Sequence, residues 1–124
     1  MTWLRADVQG DAVFALRPNA HERFQALYDG LWNGGVDSVT LDACRDRIRA
    51  LLRYEADPTA ALDLTAAQRA AVDYAEQYAL DPHGIRDEDF VALHEHYDDA
   101  QLATLTLAVA MFDARARFDV ALEA

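Results

Sequence analysis

The sequence predicts an all-α domain, a bundle of about five or six helices spanning residues 1–124. Three observations carry that reading. Apolar residues recur at three- and four-residue spacing through most of the chain. The runs are separated by capping residues, Gly and Pro. With 124 residues and 52% hydrophobic composition, the chain is long and apolar enough for one core.

Residues 1–18 show no clear period and are expected to be irregular, ending at Pro18-Asn19. A first helix is expected from Ala20 to Trp32, with Phe24, Leu27, Tyr28 and Leu31 in one apolar stripe. Asn33-Gly34-Gly35 stops it. Asp37 or Ser38 suits the N-cap of a second helix, Val39 to Tyr54. Its apolar face is Leu41, Cys44, Ile48, Leu51 and Leu52, while Arg45, Arg49 and Arg53 share another face. Asp57-Pro58 interrupts the chain, because a proline disfavours helix in the residue before it.

Thr65 to Gln68 has the form of a capping box and opens a third helix, ending near Leu80. Ala71, Val72, Ala75 and Tyr78 are expected inward. Asp81-Pro82-His83-Gly84 reads as a connecting loop. Asp87 is expected to cap a short fourth helix bearing Phe90, Leu93 and Tyr97. A second capping-box-like start, Asp98 to Gln101, opens the last helix. Leu102, Leu105, Val109, Phe112 and Ala116 are spaced like a heptad seam, and Leu107, Ala108 and Met111 add apolar surface on other sides. Such a helix is buried, or pairs with another subunit.

Composition excludes several classes. The formal net charge of −11 repels polyphosphate, which argues against nucleic acid. No apolar run reaches the roughly 18 residues of a membrane helix. The start "MTWLRADVQGDAVFAL" lacks the basic-then-apolar order of a secretory signal, so a cytoplasmic location is expected. One cysteine cannot form an internal disulfide. All 11 basic residues are arginine, which removes Schiff-base chemistry and any lysine base. No Gly-rich phosphate loop or nucleophile elbow is present. His94 and His96, two apart on a helix, would point about 200° from each other, so no shared metal is expected. His21 is expected to be solvated. Trp3, Trp32, Phe112 and Phe118 are expected in the core or at a subunit contact.

The run from 64 to 122, "LTAAQRAAVDYAEQYALDPHGIRDEDFVALHEHYDDAQLATLTLAVAMFDARARFDVAL", resembles the C-terminal half of the carboxymuconolactone decarboxylase / alkylhydroperoxidase D-like (AhpD-like) family. The resemblance extends over about residues 20–122 and implies that family's helical bundle. Redox members work through a C-x-x-C-x-x-x-H motif. The segment "LDACRDRIRALLRYEAD" fits the helix before that motif without gaps. The resemblance sets Asp42 where the family has a glutamate, and Arg45 and Arg47 at its arginines. Tyr54 and Asp57 fall at the two cysteines, and Ala61 at the histidine. In the last helix, Asp113, Arg115 and Asp119 occupy a region where many relatives carry asparagines and a tryptophan.

Dithiol chemistry needs one thiolate to attack peroxide and a second thiol to resolve the sulfenic acid. No dithiol peroxidase activity is therefore expected, and Cys44, on the apolar face, is expected to pack in the core. Two readings stay open. In one, the chain is a non-redox scaffold or oligomeric binding protein. Asp42 and the arginines then form salt bridges and Tyr54 fills the space left by the cysteines. In the other, a cofactor-free enzyme decarboxylates or moves a proton on a small carboxylated substrate. Asp42 would be its general base and Tyr54 its proton donor. Arg45 or Arg47 would grip the carboxylate, with Asp57 and His83 as further candidates for substrate contact. No cofactor or metal is expected. The resemblance also implies a homo-oligomer, from dimer to hexamer, and the apolar last helix agrees with that.

Overall fold

The computed structural model describes residues 10–123. Residues 1–9 of the expected irregular start, Trp3 among them, lie outside these. Among the described residues the chain is all-α, with six α-helices. They are α1 (Gly10–Phe14), α2 (Pro18–Gly30), α3 (Ser38–Leu52), α4 (Ala66–Leu80), α5 (Asp87–His94) and α6 (Asp99–Glu123). Single 3-10 turns at Leu31–Asn33 and Pro82–Gly84 follow α2 and α4. Among these residues no helix is long and apolar enough to cross a membrane.

The expected irregular N-terminal segment is corrected in part: 10–14 is helical, and Pro18 begins α2 rather than ending a coil. Proline is well placed there, since its fixed φ suits the first helical turn and that turn's N–H groups need no partner. Within the loop expected at 81–84, Pro82–Gly84 is a 3-10 turn; Asp87 lies inside α5 instead of capping it, and Tyr97, expected on that helix, lies beyond its end at His94. The Asp89 carboxylate accepts from the Arg86 backbone N–H at 2.8 Å, closing that helix start.

The other expected caps form. Asp37 accepts from the Thr40 backbone N–H and hydroxyl at the start of α3. At α4, Thr65 accepts from the Gln68 backbone N–H at 3.1 Å while Gln68 reaches back to the Thr65 N–H at 2.9 Å. Asp98 and Gln101 make the same reciprocal pair at α6, at 2.8 and 2.9 Å. Each such cap satisfies N–H groups that the first turn leaves without partners and stabilises its helix by roughly 1 kcal/mol.

The core lies where α3 packs against both α4 and α6. The whole expected seam of α6, Leu102, Leu105, Val109, Phe112 and Ala116, is buried. It meets Leu41, Cys44 and Ile48 of α3 and Ala71, Val72 and Ala75 of α4. Burying each large aliphatic or aromatic side chain contributes roughly 1.5–3 kcal/mol. Two residues expected inside are largely in solvent, Leu27 at 51% and Phe90 at 37% exposed. The α2 stripe is covered mainly through rings: Phe24, Tyr28 and Trp32 stack in series with centroids 5.7 and 5.3 Å apart, and Phe112 closes on Tyr28 and Trp32.

Gly34 brings the α2–α3 turn onto α6. Its carbonyl accepts from the Thr104 hydroxyl at 3.1 Å, and a Cβ there would lie 2.5 Å from that side chain. Gly35 follows with φ +85°, a conformation that favours glycine.

Candidate functional site

The residues singled out by the family resemblance come together as two pairs, Asp42 with Arg45 and Arg47 with Asp57, and not as one site. Asp42 sits in the second turn of α3, where its carboxylate accepts from Trp32 Nε1 at 3.2 Å and lies 3.5 Å from Arg45. Tyr54 follows the end of the same helix. Ten residues of helix separate Asp42 from Leu52, a rise of about 15 Å at 1.5 Å each. Asp42 and Tyr54 therefore share no pocket.

Tyr54 does not fill a space in the core, as the resemblance implied, because it is 98% exposed. Its backbone explains its position. The Glu55 N–H donates to Ala50 O at 2.9 Å and the Tyr54 N–H to Leu51 O at 3.3 Å. These are the two bonds of a Schellman motif, which places Tyr54 in the left-handed position usually taken by glycine. Its φ is +56°.

The arginines also separate. Arg45 donates from Nε to Asp46 at 3.1 Å and lies over the Trp32 ring at 5.9 Å. Burial works against its charge, but Asp46 and Asp42 outweigh that and hold its pKa above the ordinary value. Arg47 points to the α4 side, donating to Glu76 at 2.8 Å and lying 3.7 Å from Asp57. The expected interhelical salt bridge is therefore made by Arg47, whereas Asp42 pairs within its own helix.

Asp57 organises the loop after α3. It accepts from the Thr59 backbone N–H at 2.8 Å and the fully buried Thr59 hydroxyl at 2.6 Å. Burial pushes the carboxyl up, but the Thr59 donors and the Arg47 charge overcome it, and its pKa falls below the ordinary value. His83 is exposed in the turn after α4, away from the other candidates.

Cys44 is fully buried, as expected, and burial pushes its thiol up to about 12. A thiol there is protonated at neutral pH and is no nucleophile. His94 ends α5 and His96 lies beyond the helix, so they do not share it. Among the described residues no three His, Cys, Asp or Glu side chains are grouped to hold a metal ion. His21, expected in solvent, is half-buried with its ring 5.3 Å from Phe14.

The densest polar chemistry lies elsewhere, in a cleft of about 180 Å³ where α2, α3 and α6 meet. Phe24 and Tyr28 line it together with Arg49 and Arg115. Arg45 and Arg49 are one turn apart on α3, so both guanidinium groups act on the Tyr28 hydroxyl, together with Arg115. Burial raises the Tyr28 pKa and the three positive charges oppose it, leaving it above the ordinary value. Arg115 is 14% exposed and donates from Nε to both Asp119 oxygens at 3.1 and 3.2 Å. Its Nη2 donates to Asp11 at 2.6 Å.

The sequence does place Arg45 and Arg49 on one face, and it flags Arg115 and Asp119 as unusual for the family. It contains no signal that Tyr28, 87 residues before Arg115, lies between them. No protein-family model matches the chain, and no curated protein matches it in sequence.

Proposed function

We propose that this chain is a non-redox binding protein for a small acid, working as a homo-oligomer and catalysing no dithiol peroxide reduction. The observation that carries the proposal is the state of its one thiol. Cys44 is 0% exposed with its pKa pushed to about 12, and the segment where the family resemblance calls for two thiols and a histidine holds Tyr54, Asp57 and Ala61.

Descent from the carboxymuconolactone decarboxylase / AhpD-like family is part of the proposal and rests on the residues quoted above. Self-association is supported by a groove of about 340 Å³ between α2 and α6, flanked by the uncovered side chains of Leu27 and Leu107. Acid binding is supported by the arginines around Tyr28. The enzyme reading loses its basis in geometry, because Asp42 and Tyr54 stand about 15 Å apart along the helix.

Native mass spectrometry of gently purified protein, paired with a peroxide-consumption assay, tests the proposal. A discrete oligomer carrying a small acidic molecule and consuming no peroxide is the expected result. Peroxide turnover, or rapid labelling of native Cys44 by a thiol reagent, would overturn it.

A further inference from the structure

We propose that the cleft beside Tyr28 is the acid-binding site, that its ligand is a small, flat monocarboxylate, and that the Asp11 carboxylate holds the ligand's place when the site is empty. The inference rests on the small-acid reading above and adds to it the site, the ligand class and the mode of entry.

The two carboxylates on Arg115 differ in kind. Asp119 lies one turn along the same helix and is 26% exposed, so it fixes the orientation of the guanidinium. Asp11 comes from the five-residue α1 and its side chain is 76% exposed. Its bond to Arg115, at 2.6 Å, is the shorter of the two contacts. A carboxylate mostly in water loses little by returning to it, so this partner is exchangeable. Both Asp11 and Arg115 line the cleft.

Charge sets the valence of the ligand. Arg49, Arg115, Asp11 and Asp119 all line the cleft and their formal charges cancel. A monoanion that displaces Asp11 preserves that balance, and its carboxylate takes over the Nη2 donor. Arg49 supplies a second guanidinium on the same side, and among the described residues no carboxylate bridges to it. A dianion would add an uncompensated charge to a protein already at −11.

Shape sets the rest. About 180 Å³ is below the roughly 300–1,000 Å³ of ordinary ligand pockets, so the ligand is a single ring or a short chain. Phe24 and Tyr28, with ring centroids 5.7 Å apart and planes inclined by 31°, line the same cleft as the arginines and offer aromatic surface to a ring. Phe14 anchors α1 on Phe24 and Phe118, at 5.1 and 5.8 Å. Asp11, a turn earlier, can swing out while that anchor stays packed.

Benzoate is the probe, with benzamide as its uncharged twin, titrated into the wild type, Asp11→Ala and Arg49→Gln. Binding is followed by the arginine Nε–H resonances and by contacts from the ligand ring to Phe24 and Tyr28. Melting curves confirm that each variant is folded. The expected result is about fivefold tighter benzoate binding in Asp11→Ala and about fivefold weaker binding in Arg49→Gln. Benzamide should bind neither variant. Equal affinity across the three proteins, equal binding of benzamide, or no response to millimolar benzoate in any of them overturns the assignment. A small acid retained by the wild type and by Arg49→Gln to the same extent in native mass spectrometry would overturn the cleft and leave the broader reading standing.

Discussion

Arg47 on α3 donates from Nε to Glu76 on α4 at 2.8 Å, with only 16% and 29% of the two side chains exposed. The pair ties together two of the helices that make the core. Removing Glu76 leaves the largely buried Arg47 with only its longer contact to Asp57, so Glu76→Ala should cost about 1 kcal/mol. Urea denaturation measures it. The loss should shrink in Arg47→Met with Glu76→Leu, where neither charge is left alone.

Tyr54→Gly should raise stability. A left-handed φ costs a non-glycine residue roughly 1–2 kcal/mol, and the 98%-exposed ring returns nothing by packing. Glycine's greater freedom in the unfolded chain offsets part of the gain, leaving about 0.5–1 kcal/mol. Thermal unfolding of the single variant decides it; a destabilised variant would show that the ring has a partner outside this chain.

Alkaline pH should destabilise the fold through Cys44. Unfolded, the thiol ionises near pH 9; folded, burial holds it protonated to about 12. Below about pH 9 both states keep the proton and stability does not depend on this group. Above it the unfolded state binds fewer protons than the native state, so stability falls as pH rises. Burial raises Tyr74 and Tyr97 as well, so they act in the same direction at higher pH. Denaturation of wild type and Cys44→Ala from pH 8 to 11 should show a shallower decline in the variant.

Asp42→Asn should be nearly silent, changing stability by less than about 1 kcal/mol. The carboxylate is 48% exposed, and asparagine retains an oxygen to accept from Trp32. Tryptophan fluorescence and urea denaturation report on both. Loss of small-acid binding on this change alone would restore Asp42 as a functional group.

The fold was largely legible in the sequence because its determinants are local. The caps at Asp37, Thr65 and Asp98 and the buried α6 seam each depend on residues within a few positions of one another. The candidate site was not legible. Aligning Asp42 and Tyr54 with a family motif ignores the rise of the helix between them. The left-handed turn at Tyr54 lacks the glycine that normally reveals it. The Tyr28 cleft depends on the apposition of α2, α3 and α6, and only Arg45 with Arg49, one turn apart, and the charges at Arg115 and Asp119 left a trace of it in the sequence. Leu27 and Phe90 have the right spacing for a core, but periodicity does not say which flank of a stripe a neighbouring helix covers.

The place of α6 in the core bears on how the protein is made. The α3 and α4 helices leave the ribosome before α6 and can pair as a hairpin while synthesis continues. Their shared apolar face stays open until residues 99–123 emerge, because that helix supplies Leu105, Val109 and Phe112. During that interval the nascent chain exposes a sticky half-core, so the step most open to chaperone capture or aggregation is the docking of a single helix.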